Sequence, residues 1–94
     1  MEKLSEGEIE TRLSELPDWA ELNGEIQRTY QFSGFVEAIA FVQKVADEAE
    51  SAQHHPDIMI RYNKVTLTLT THDAGGITIK DFDLANKADT LAAA

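Results

Sequence analysis

The chain has 94 residues, no cysteine, 43% hydrophobic and 27% charged residues, which predicts a single domain over 1–94 with one modest core and excludes disulfide or thiolate chemistry. Seventeen acidic residues against eight Lys and Arg leave a net charge of −9. That field repels nucleic-acid phosphates and polyanionic substrates, while a neutral small molecule or a protein partner remains compatible with it.

The stretch MEKLSEGEIE is too polar for a signal peptide and no apolar run approaches a membrane span, so no membrane partner is expected. The absence of cysteine suits a reducing, cytoplasmic compartment. Ser5 and Glu8 form the S-x-x-E signature of a first helix, with Ile9, Leu13 and Leu16 on one face and Pro17 as its stop. Asn23-Gly24 predicts a type I′ hairpin between a short strand, Trp19 to Leu22, and EIQRTYQF, in which Ile26, Tyr30 and Phe32 share a side.

Ser33 is the expected cap of a second, longer helix reaching about residue 51, with Phe35, Ile39, Val42, Ala46 and Ala49 as its buried stripe. Phe41 then falls on an outward line with Glu37, Lys44 and Glu48, either a lone exposed aromatic or a subunit contact. DIMIRY and VTLTLTT read as two strands joined by an Asn63-Lys64 turn, with Val65, Leu67 and Leu69 inward and Thr66, Thr68 and Thr70 outward. HDAGG is a turn whose Gly75-Gly76 lacks the surroundings of a phosphate loop, and no serine sits in a nucleophile elbow. Thr78 and Asp81 form a second capping box, opening a last helix that buries Leu84, Ala88 and Leu91. The order α-β-β-α-β-β-α implies an α+β domain, a four-stranded antiparallel sheet with three helices on one face.

All three histidines fall between residues 54 and 72. His54 and His55 precede Pro56, which biases His55 away from helix and places the pair in the connection into the third strand. His72 ends the fourth strand. An antiparallel hairpin brings the start of one strand opposite the end of the other, so the three imidazoles are expected to converge. Unrelated surface histidines are the bland alternative. A metal site ranks low, because adjacent residues in extended chain point apart and no i, i+2 or i, i+4 histidine pair exists. Proton transfer fits best, since an imidazole donates and accepts near neutral pH. Asp57, Asp73 and Asp81 are nearby carboxylates that could orient a ring, although capping is the better reading of Asp81.

HHPDI, YNKVTLTLTTHDAGGIT, Asp81 and Leu84-Ala85, together with Trp19, the FSGFVEAIAFVQKVADEAE helix and Glu50, resemble the pterin-4a-carbinolamine dehydratase family over most of the chain. The resemblance implies dehydration of 4a-hydroxytetrahydropterin to quinonoid dihydropterin, with no metal or organic cofactor. It implies that His54 and His72 act as the acid–base pair and that His55 is an active-site residue concerned more with binding. It further implies that Gln53, Thr70, Thr71 and Asp73 line the pterin pocket, with Glu50 and Pro56 at its edge. Some members carry an acidic residue at the position of Gln53 and an aromatic at that of Ile58, which here offers only an apolar wall. The family is oligomeric, extending its sheet across subunits, so a homodimer or homotetramer is implied. Certain animal members also partner a transcription factor, a role to which no residue here points. The rival to catalysis is an interaction module that keeps the pocket without the chemistry.

Overall fold

Local signals at the two capping boxes set where the helices begin. In the computed structural model, which describes residues 2–94, the Ser5 hydroxyl accepts from the Glu8 amide and the Glu8 carboxylate accepts from the Ser5 amide, starting α1 (Glu6–Leu13). Those bonds hold the Glu8 carboxyl below its ordinary range. Thr78 and Asp81 do the same for α3 (Ile79–Ala93). Between them run β1 (Ala20–Leu22), β2 (Glu25–Gln31), α2 (Phe35–Ala52), β3 (Asp57–Arg61) and β4 (Lys64–Leu69), with a 3-10 turn at His72–Ala74.

The strands form one antiparallel sheet in the order β1-β2-β4-β3, giving the α+β architecture and element order expected from the sequence. Alternation decides which face is covered. Ile26 and Tyr30 of β2 and Val65, Leu67 and Leu69 of β4 are buried toward the helices. On the other face, Thr29 bonds Thr66 at 2.8 Å and Gln27 donates to Thr68 at 3.0 Å. The first hairpin turns at Asn23 and Gly24, both at positive φ.

Three local expectations are corrected. The N-cap of α2 is Gly34, not Ser33, and no side chain caps it. The β3–β4 turn is Tyr62-Asn63 rather than Asn63-Lys64, because Arg61 pairs directly with Lys64 and Tyr62 takes φ +54°. The buried stripe of α2 is Ala38, Phe41, Val45 and Ala49, whereas Phe35 and Ala46 are exposed and Ile39 is half-buried. Phe41 is 3% exposed, so it belongs to the core and is no subunit contact. Its ring lies 4.7 Å from that of Tyr30 and 5.0 Å from that of Phe32. That aromatic cluster selects the face which a helix apolar on several sides left open.

A polar cluster ties α3 to β2. The Asp89 carboxylate accepts from Trp19 Nε1 at 3.0 Å, from Arg28 Nη1 at 2.8 Å and from the Tyr30 hydroxyl. Burial first, then the Asp89 hydrogen bond and charge, push the Tyr30 phenol well above its ordinary value near 10. Among the described residues, no buried side-chain N or O lacks a hydrogen-bond partner, and no helix is long and apolar enough to cross a membrane.

Candidate active site

The exit from α2 aims the histidine pair. Gln53 adopts a left-handed conformation (φ 51°, ψ 42°), and the His54 amide reaches back to the Ala49 carbonyl at 3.0 Å. This is a Schellman closure with glutamine in the place glycine usually takes. It reverses the chain at Gln53, so that His54 turns inward and His55 outward before Pro56 leads into β3. The His55 Nε2 meets Glu50 Oε1 at 2.7 Å, with both side chains largely exposed.

The loop after β4 supplies the opposite wall. The Thr71 amide and carbonyl pair with those of Gly76 at 3.0 and 3.3 Å, pinching off a short loop that presents His72. Gly75, at φ 77°, makes the left-handed step that this closure needs. Gln53, His54, His55, Thr70, Thr71, His72, Asp73 and Lys80 together line a cleft of about 260 Å³. Histidines from both ends of the β3–β4 ribbon thus border one cavity. Glu50 and Pro56 are not among the lining residues; Glu50 meets the cleft only through its contact with His55. Ile58 packs against the core instead of forming a cleft wall. Thr70 spends its hydroxyl on the Gly24 carbonyl at 3.0 Å, linking the cleft to the first hairpin.

Asp81 has a larger part than capping. It is fully buried, and its two oxygens divide their work. Oδ2 accepts from the Thr78 amide and the Thr71 hydroxyl, both at 2.9 Å, while Oδ1 lies 2.5 Å from His54 Nε2. Because Thr71 gives its one proton to Asp81, the 2.8 Å Thr71–Thr78 bond is donated by Thr78. An ionised carboxylate can only accept, so the proton of this contact sits on Nε2 of His54, and Nδ1 is the ring nitrogen left outside it. The His54 side chain is 10% exposed, which makes this pair a sheltered one with a fixed ring orientation.

Of the three carboxylates considered from sequence, only Asp81 holds a histidine ring. Asp73 lines the cleft from its exposed loop, and Asp57 is exposed at the start of β3. Lys80, on the cleft rim, was not foreseen; only its place beside the cap residue Asp81 pointed to it. Among the described residues, no three of His, Cys, Asp and Glu gather closely enough to hold a metal ion.

Comparison with known proteins adds a family. Residues 2–91 match the model of the pterin 4 alpha carbinolamine dehydratases. A protein of Picosynechococcus, provisionally named a pterin-4-alpha-carbinolamine dehydratase, is 55% identical over 95% of this chain and 97% of its own. One of Acidobacterium capsulatum with the same provisional name is 57% identical over 97% of this chain and 99% of its own. A crystal structure from Brucella melitensis, described as a transcriptional coactivator/pterin dehydratase, superposes with a TM-score of 0.93 at 34% identity, covering 96% of this chain and 98% of that one. A pterin dehydratase-like RuBisCO assembly factor of the alpha-carboxysome superposes with a TM-score of 0.65 at 21% identity over 79% of this chain and 86% of its own, a likeness of fold alone.

Proposed function

This chain belongs to the pterin 4 alpha carbinolamine dehydratase family, and from that premise we propose that it removes water from 4a-hydroxytetrahydropterin to give quinonoid dihydropterin, serving the recycling of a reduced pterin. The reaction breaks the C4a–O bond, moves a proton onto the departing hydroxyl and takes the proton from N5 as the C4a=N5 bond forms. Two proton transfers balance it, so the scheme needs no electron acceptor.

The observation that supports this reading most is the buried Asp81–His54 pair at the wall of a cleft that His55 and His72 also line. With Nε2 engaged by Asp81, His54 has Nδ1 left to act as general base toward N5–H. His72, on the facing loop, is assigned the general acid at the 4a-hydroxyl. His55, Gln53, Thr70 and Asp73 are assigned to binding, with Glu50 steadying His55, Pro56 setting its direction and Thr71 steadying Asp81. A flat, uncharged pterin suits a protein of net charge −9.

The interaction-module alternative drew on an outward Phe41 and on the departures at Gln53 and Ile58; Phe41 is buried, while Gln53 lines the cleft and Ile58 packs against the core. The deciding measurement is the decay of synthetic carbinolamine followed by absorbance. We expect faster decay with the protein, and a fall of about 10²-fold or more in His54→Ala and His72→Ala. An unaccelerated decay would exclude the activity.

A further inference from the structure

The histidine cleft has a neighbour that shares His54 with it. Ala52, His54, Lys80, Asp83, Leu84 and Lys87 line a second cavity of about 230 Å³, between the end of α2 and the first half of α3. His54 and Lys80 belong to the walls of both cavities, so the two adjoin at those side chains. No step of the proposed dehydration uses the second.

Helix period makes one wall of that cavity a charged stripe. Residues 80, 83, 84 and 87 follow the i, i+3, i+4, i+7 spacing and so share a face of α3. Leu84 is buried and, with Ala52, supplies the apolar part of the lining. The two lysines stand two turns apart, about 10 Å along the helix axis, with Asp83 between them. Lys80 is the one at the histidine cleft, and Lys87 is at the far end, where its ammonium lies 3.4 Å from Glu48 of α2. Among the described residues, Lys80 and Asp83 have no ion-pair partner. Two ammonium groups against one carboxylate make this lining net positive, in a chain whose overall charge is −9.

We infer that the second cavity is the subsite for the substituent a pterin carries at C6, and that it selects a hydroxylated tail ending in a phosphate monoester. The inference rests on the dehydratase reading, through the role given there to His54. A base that takes the proton from N5 sits beside the ring atom next to N5, which is C6. The tail therefore leaves the ring at His54, the side chain common to both cavities. From there it runs along the stripe of α3. Lys80 lies at its start, Asp83 accepts from its hydroxyls, and Lys87 meets the terminal phosphate. A lysine engages phosphate as a flexible point charge with three donors, so Lys87 can turn from Glu48 to a dianion without any movement of the helix. The ring itself stays uncharged, and the one charge of the ligand falls where the wall is cationic.

The test compares two fluorescent probes, 7,8-dihydroneopterin and its 3′-phosphate, which share a ring and differ only at the end of the tail. Wild type is expected to bind the phosphate about tenfold more tightly. Lys87→Gln is expected to remove most of that preference and to leave the affinity for the uncharged probe as it was, while Lys87→Arg keeps the preference. Glu48→Gln removes the carboxylate that competes for Lys87 and is expected to widen the preference several-fold. A Lys87 that only braced α3 against α2 would make Glu48→Gln lose the preference as Lys87→Gln does, and that result would overturn the tail site. Equal affinities for the two probes in wild type, or binding of neither, would overturn it too. Decay of carbinolamine is read separately. Accelerated decay with equal affinities refutes the tail site alone, whereas unaccelerated decay with the preference intact refutes dehydration alone.

Discussion

At the scale of single residues, one carboxylate does two jobs that sequence makes look like one. The three histidines were legible because they are few and cluster in two motifs. The part of Asp81 in holding His54 was not, because a Thr-x-x-Asp capping box already accounts for an aspartate there, and nothing local shows that its second oxygen turns toward a residue 27 positions away. The two jobs separate by mutation. Thr78→Ala removes the hydroxyl half of the cap and is expected to cost about 1 kcal/mol of stability with catalysis kept. Asp81→Asn leaves a cap-sized side chain but replaces a pure acceptor beside His54 with a group that can donate. It is expected to lower dehydration by about 10²-fold and to change the shape of the pH–rate profile, which loss of helix stability alone would not do. Equal effects of the two substitutions on that profile would refute the separation.

Among the elements, period was read more reliably than phase. The helical and alternating patterns gave each helix and strand its place, and both capping boxes formed as spaced. The buried face of α2 was misjudged because apolar residues occupy several of its sides, and a helix rotates by about 100° per residue, so a small error exchanges Phe41 for Phe35. What selects the face is tertiary: the rings of Tyr30 on β2 and of Phe32 just after it meet Phe41. Phe41→Ala is therefore expected to destabilise by about 3–5 kcal/mol, measured by urea unfolding, where Phe35→Ala costs much less. The displaced β3–β4 turn has a similar origin. Asn63 is the residue that turn statistics favour, whereas strand register, fixed by Arg61 facing Lys64, puts Tyr62 rather than Asn63 in the left-handed conformation.

Over the whole molecule, the sheet order follows from hairpins that pattern could suggest, but the Asp89 cluster joining the far end of α3 to β2 could not be foreseen, since its donors Trp19, Arg28 and Tyr30 lie 59 to 70 residues away. It has a consequence in alkali. The Tyr30 phenol is held above its ordinary value near 10, so its contribution to stability is fully present below pH 10 and is lost as pH rises beyond it, where only the unfolded chain gives up the proton. Denaturation midpoints are expected to fall across that boundary, less steeply in Tyr30→Phe; parallel falls would contradict this. The double engagement of Asp81 carries a different kind of consequence. A lineage that abandoned pterin chemistry would still need the helix that this aspartate starts, whereas exposed His72 and His55 would be released to drift. Erosion of the exposed imidazoles, with the buried acid retained, would then be the mark by which a silent descendant could be told from a working one.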